Sequence, residues 1–224
     1  MSVRAPTIAG AAIIGVISLL IWQRPNMATA QDLEPGLHQG AQDPAVAPQR
    51  AVLYEEDPAD PIGRQTPGLA IWRTEEIPSP AGEPPELAVR ADIEFPDRQI
   101  GMTWTLRRAA GDSSASHMIE IMFKLPPDFP AGGVFSVPGV VMKQAEQVRG
   151  VALAAASVKV TDGYFMIGLS TAPADKARNI ELLKLRPWID IPIIYTNQRR
   201  AILAVEKGTP GELAMVQAFA DWEK

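Results

Sequence analysis

Between Leu87 and Leu106 apolar and polar residues alternate almost without a break, and no other stretch restricts the fold as tightly. Leu87, Val89, Ala91, Ile93 and Phe95 alternate with Ala88, Arg90, Asp92 and Glu94; Ile100, Met102, Trp104 and Leu106 alternate with Gly101, Thr103 and Thr105. A period of two puts one set of side chains on a buried face and the other in water, so both runs read as half-buried strands. Pro96-Asp97-Arg98-Gln99 joins them as an even-length turn. That sets Phe95 opposite Ile100, Ile93 opposite Met102, Ala91 opposite Trp104 and Val89 opposite Leu106. A slip of one residue would send every apolar side chain into solvent, so the register is well specified.

Other segments extend this hairpin. From His117 to Leu125, Ile119, Ile121, Phe123 and Leu125 alternate with Glu120, Met122 and Lys124, a third strand of a meander. Residues 51–55 and 68–74 read as strands on either side of an acidic loop, Glu55 to Asp60, that holds Pro58 with Pro61 beside it. Asp162-Gly163 between two apolar runs signals a tight hairpin. Residues 174–185 read as a helix stopped by Pro187, and residues 190–195 and 200–205 as a last hairpin whose Pro192 predicts an edge strand. Thr209-Pro210-Gly211-Glu212 has the spacing of a capping box opening a closing helix, with Leu213, Val216, Phe219 and Ala220 on one face. These elements predict an α+β, β-rich domain, an antiparallel sandwich or roll of about eight or nine strands with two short helices in the C-terminal half.

Ahead of this domain, Ile8 to Trp22 carries no charge. It is short of the roughly 20 residues of a spanning helix and is followed by Ala28-Thr29-Ala30, a signal-peptidase pattern that predicts cleavage after Ala30. Trp22 and Arg24 instead suit a membrane-edge anchor, and Arg4 weakly favours the N-terminus inside. We favour the uncleaved anchor, a single N-terminal transmembrane helix; either reading sends the rest of the chain across a membrane. The expected organisation is an anchor at 1–23, a Pro/Ala/Gln-rich tether at 24–50 containing His38, and a domain at 51–224. The net charge of −5 and the absence of a large Lys/Arg cluster argue against nucleic acid as a partner. Zero cysteines exclude disulfides, thiolate metal sites and cysteine nucleophiles.

Motifs for chemistry are sparse. The chain has no G-x-G-x-x-G, Walker loop, H-E-x-x-H or G-x-S-x-G, and no cofactor or metal is predicted. His117 is the domain's one histidine; adjacent residues on a strand point to opposite faces, so Ser116 and His117 are not expected to pair as nucleophile and base. The acidic loop lacks the spacing of a calcium loop and reads as solvated, although calcium binding there stays open. Glu94 with Asp92 or Glu86 is the nearest thing to a glycosidase-type pair, and the neighbouring Arg90 and Arg107 favour ordinary cross-strand charge pairing. Arg107-Arg108 and Arg199-Arg200 read as guards of strand edges. Residues 126–138, rich in Pro and Gly, carry Phe129, Val134 and Phe135 on an irregular loop, and these three form the candidate partner-binding set.

The phrases VLYEEDPADP (52–61), IWRTE (71–75), AVRADIE (88–94), SHMIEIMFKLPPDFPAGG (116–133), VPGVVMKQAEQ (137–147) and RRAILAVEKGTPGE (199–212) resemble an alphaproteobacterial family of single-pass membrane-anchored proteins. The resemblance implies an inner-membrane anchor and a periplasmic β-rich domain, and brings no known activity or site residues. The expectation is a non-enzymatic envelope module, tied to the inner membrane through Ile8 to Trp22, that binds or assembles with an envelope protein. An enzyme acting on glycan or cell wall through a carboxylate pair, and a periplasmic ligand sensor signalling through a partner, are the alternatives.

Overall fold

The hairpin forms in the expected register: Phe95 pairs with Ile100, Ile93 with Met102, Ala91 with Trp104 and Val89 with Leu106. From Val89 to Leu106 the inward side chains of this hairpin are no more than 4% exposed, and Leu87 at its outer end is half-buried. In the computed structural model, which describes residues 47–78, 85–109 and 113–223, the hairpin lies within one antiparallel sheet of twelve strands. The apolar segment 8–22, the tether as far as residue 46, His38 and the cleavage pattern at Ala30 lie outside the described residues, and Gln49 and Arg50 at the tether's end already belong to the first strand. No helix among the described residues is long and apolar enough to cross a membrane.

In chain order the strands are β1 (Gln49–Asp57), β2 (Asp60–Ile77), β3 (Glu86–Phe95), β4 (Ile100–Arg108), β5 (His117–Lys124), β6 (Val134–Ser136), β7 (Val141–Lys143), β8 (Val151–Ala152), β9 (Ala155–Thr161) and β10 (Tyr164–Leu169). Helix α1 (Pro173–Leu185), β11 (Trp188–Tyr195), β12 (Arg200–Glu206) and α2 (Gly208–Trp222) complete the domain. Across the sheet the order is β8-β7-β11-β12-β1-β2-β3-β4-β5-β10-β9, with β6 also on β11. The sheet curls so that its inward residues and the buried face of α2 form one apolar cluster. The count exceeds the expected eight or nine because β6, β7 and β8 are too short to show periodicity; the acidic run is itself strand, which lengthens β1 and β2 without adding to the count.

That run is the tip of a long ribbon. β1 and β2 turn at Pro58-Ala59 and stay paired from Asp57–Asp60 back to Gln49–Ala70. β3 pairs only with Leu69 to Ile77 of β2, so residues 60–68 have a free edge on which Pro61 and Pro67 leave no ladder bond unmade. Pro192 departs from expectation too, because β11 has neighbours on both sides. It lies between the stretches paired with β7 (Trp188 to Asp190) and with β6 (Ile194, Tyr195), where the second neighbour is interrupted.

Helix α2 turns a different face inward than expected. Leu213 and Val216 are about half exposed, whereas Gly211, Ala214, Met215, Ala218, Phe219 and Trp222 are buried, at spacings of three and four. Small residues let the helix come close: a Cβ on Gly211 would stand 3.0 Å from the Trp72 ring. Trp72 stacks edge-on against Trp104 at 5.5 Å and donates its indole N–H to the Glu206 carbonyl at 2.8 Å. The Trp222 indole donates to the Leu87 carbonyl at 2.7 Å. The capping box does not form, since α2 starts at Gly208 and its cap, Lys207, makes no side-chain capping bond. Lys207 is fully buried, with Nζ donating to the Leu183 and Lys184 carbonyls at the end of α1 (2.7 and 3.1 Å), and burial lowers its pKa to about 8.

Candidate functional site

The two ends of the sheet order, β8 and β9, are joined in sequence by Leu153 and Ala154 alone. Leu153 N–H donates to Val140 O at 2.9 Å, continuing the β7/β8 ladder, while Ser170 N–H donates to Ala154 O at 2.8 Å, continuing β9/β10. Asn179 of α1, 1% exposed, holds Ala154 at both its N–H and its carbonyl, each at 2.9 Å. Here the curled sheet is stitched shut. Beyond the stitch the ladder opens. β9 pairs only with β10, and β6 only with β11. Extending the β7/β8 register sets Lys159 opposite Val134, and the lysine Nζ lies 3.4 Å from the Val134 carbonyl. Pro138, without an N–H, sits in the unpaired stretch between β6 and β7, and that missing donor is one physical reason the seam splays.

The open seam leaves a free strand edge. Lys159, Ser157 and Ala155 sit beside Phe165, Ile167 and Leu169 on the inward face, yet Ala155 and Lys159 remain exposed while those three partners are buried. Val158 and Val160 on the same strand are 61% and 45% exposed. The seam leads into a cavity of about 300 Å³ walled by Phe123, Leu125 and Val134, with Gly133, Thr196 and Lys159 at its polar rim. This lies at the small end of ligand-site volumes. Lys159 is paired there with Asp162 at 2.8 Å, whose carboxylate is fully exposed; the bond from Lys159 holds that carboxyl below its ordinary range.

The irregular loop shapes the rim. Gly132 and Gly133 adopt φ of 77° and 135°, and nothing lies within 4 Å of where a Cβ on Gly133 would stand, so this rim is bare backbone. Thr196 fixes the loop, its Oγ donating to Ala131 O at 2.6 Å and its N–H to Gly133 O at 3.0 Å. Phe129 is buried, edge-on against Tyr195 at 5.3 Å and under the Arg98 guanidinium. Arg98 grips Glu55 through two bonds of 2.9 and 3.0 Å, and the Tyr195 hydroxyl donates to the same carboxylate at 3.0 Å. Burial and that anion push the Tyr195 phenol well above its ordinary range.

The three candidate residues therefore have different fates. Phe129 stoppers the interior, Val134 is 3% exposed and walls the cavity, and Phe135 projects outward beside the seam, 53% exposed. The expected loop ends at Val134, where β6 begins: Phe129 packs inward from the loop, and on β6 the period of two puts Val134 inside and Phe135 outside. Lys159, Thr196 and the glycine rim went unread in the sequence. The Gly132-Gly133 pair was the available signal, since adjacent glycines mark backbone that other residues resist.

A second cavity, about 380 Å³, lies between the β1/β2 ribbon and β12, lined among others by Tyr54, Ile62, Arg64, Arg200 and Ile202. Its carboxylates are held internally: Glu56 accepts from Arg200 N–H at 2.9 Å, Asp57 from Ala59 N–H at 3.0 Å and Asp60 from Ile62 N–H at 2.9 Å. Among the described residues, no three acidic or histidine side chains converge in a way that could hold a metal. Near this cavity the segment after β7 folds over the outer sheet face. Glu146 there meets Arg50 and Tyr54, and Lys143 bonds Asp190 at 2.8 Å. Burial raises the Asp190 carboxyl above its ordinary pKa against the pull of Lys143, but Asp190 lines neither cavity.

The remaining sequence candidates are self-paired. Asp92 accepts from Arg73, Arg90 and Thr103; partial burial pushes its carboxyl up, but the guanidiniums of Arg73 and Arg90 outweigh that and hold it below its ordinary range. Arg107 pairs with Glu120 at 2.7 Å, and Arg108 approaches Glu86 at 3.3 Å. Contrary to the opposite-face expectation, Ser116 Oγ and His117 Nδ1 are 3.3 Å apart, because Ser116 precedes the strand rather than belonging to it. His117 lies 5% exposed between Phe219 and Trp222, and burial, aided by Lys176 and Arg108, lowers its pKa to about 4. That is a packed neutral ring with no open approach for substrate. No family model, curated protein or solved structure matches this chain.

Proposed function

We propose that this chain is a non-enzymatic binding or assembly module of the bacterial envelope, anchored in the inner membrane by Ile8 to Trp22 and presenting its β-rich domain in the periplasm to an envelope protein. The observation that carries the binding reading is the seam, where two unpaired strand edges, β6 and β9, flank an apolar cavity and the exposed Phe135 ring. Exposed edges in a folded domain invite pairing with another chain. The carboxylate-pair enzyme draws no comparable support, because Asp190 is tied to Lys143 away from both cavities and Asp92 is locked among arginines.

The test is a photocrosslinking residue at position 135 of the full chain in membranes, with adducts identified by mass spectrometry. One envelope protein should be captured repeatedly at position 135 and not at position 213 on α2. Equal capture of the same proteins at both positions would defeat the reading. Protease protection of the C-terminal domain in intact cells, lost on opening the outer membrane, tests the periplasmic location.

A further inference from the structure

We infer that the seam receives the C-terminal end of a partner polypeptide, an extended segment with an apolar last residue whose free carboxylate pairs with Lys159. The inference rests on the binding-module reading and names its ligand. Three features converge on one place. β9 offers an unpaired edge of seven residues, Ala155–Thr161, able to hydrogen-bond an added strand. At its far end the cavity walled by Phe123, Leu125 and Val134 has the size and apolar lining for one aliphatic side chain and the backbone that carries it. At the rim stands an ammonium group, Lys159, beside a loop whose Gly132 and Gly133 leave the backbone bare.

Charge complementarity selects a carboxylate. Lys159 is held by Asp162 and by the Val134 carbonyl, both at the seam. The Asp162 carboxylate is fully exposed, and pairs of that kind contribute little in water, so exchanging Asp162 for an incoming carboxylate costs little. An internal segment supplies a carboxylate only from an Asp or Glu side chain, which would take the place of an apolar one in a cavity walled by Phe123, Leu125 and Val134, whereas a chain terminus brings the carboxylate and an apolar last side chain together. The free edge distinguishes a polypeptide from a small amphiphile, because only a peptide backbone can continue the β9 ladder.

Fluorescence anisotropy of the full chain in detergent tests this with a labelled hexapeptide ending in valine-leucine, presented as the free acid and as the C-terminal amide, with dodecanoate as competitor. The acid should bind at least tenfold more tightly than the amide. Lys159→Gln should weaken the acid about tenfold and leave the amide unchanged, and Asp162→Asn should tighten the acid. Hydrogen exchange should slow along β9 when the acid is bound; this readout also shows that the variants are folded. Equal binding of acid and amide, or no effect of Lys159→Gln in a folded variant, overturns the inference. Absence of peptide binding overturns it as well, as does dodecanoate binding through Lys159 without slowed exchange on β9. Persistent capture at position 135 alongside any of these results would leave the binding module standing and remove only the terminus as its ligand.

Discussion

The two ends of the curled sheet solve opposite problems. At one end α2 fits its small-residue face against Trp72, and most buried groups are answered by backbone: the Trp72 and Trp222 indoles by carbonyls, Lys207 by the end of α1, Asn179 by Ala154, while the Trp104 indole N–H, alone of these three indoles, has no hydrogen-bond partner among the described residues. At the other end, β9 pairs only with β10 and β6 only with β11, and the Lys159 ammonium spans the gap to the Val134 carbonyl. The same chain closes its sheet at Leu153 and Ala154 and leaves it open along the next seven residues. The difference teaches that the open seam is not a weakness of the whole fold: the apolar cluster and the stitched end hold the domain together, which frees the other edge from a structural duty.

Substitutions at the two ends should differ in cost. The largest effect belongs to the closed end, where Phe219→Ala should cost about 3–5 kcal/mol in urea unfolding, the range for deleting a buried ring. A small loss there would mean that α2 is not part of the cooperative core. Next comes acid. Because the folded pKa of His117, about 4, lies below its ordinary 6.5, the unfolded chain binds the proton more readily between those values. Stability should therefore be intact above pH 6.5 and fall by about 3 kcal/mol as pH drops to 4. His117→Phe should flatten that segment of the profile; an unchanged slope would assign it to other groups. Glu55→Gln, which takes the charge from the Arg98 clamp beneath the loop, should cost about 2 kcal/mol at neutral pH. Phe135→Ala, at the open end, should stay within about 0.5 kcal/mol of the parent while abolishing crosslinks to the partner from neighbouring positions. If it destabilises as Phe219→Ala does, Phe135 is core and the contrast collapses.

What could be read from the sequence followed from local physics. The β3/β4 register, the inward set of β5, the Asp162-Gly163 turn and the extent of α1 each depend on neighbours within a few residues, and each appears as expected. The buried face of α2 was hidden because Gly211, Ala214 and Ala218 carry little hydrophobic signal, while Leu213 and Val216 carry much and point outward. Phe129 and Phe135 share one Pro- and Gly-rich stretch of sequence, but Phe129 lies in the loop while Phe135 lies on β6 beside the buried Val134, where strand alternation turns it outward. The seam was further from view, since it depends on β6 and β9 facing each other across the curl without pairing. Lys159 therefore read as an ordinary strand lysine.

The placement of β1 has a mechanical consequence. β1 is held by β2 on one side and β12 on the other, from Gln49 to Asp57 and from Ala51 to Glu55 respectively. Its first residue packs against the start of α2, where a Cβ on Gly208 would collide with the Gln49 side chain. Any tension transmitted from residues ahead of Gln49 pulls along the strand axis and strains two ladders in shear, many hydrogen bonds at once, instead of peeling them singly. If the domain were tethered through this strand, a pull there would meet both ladders together and leave its shape intact.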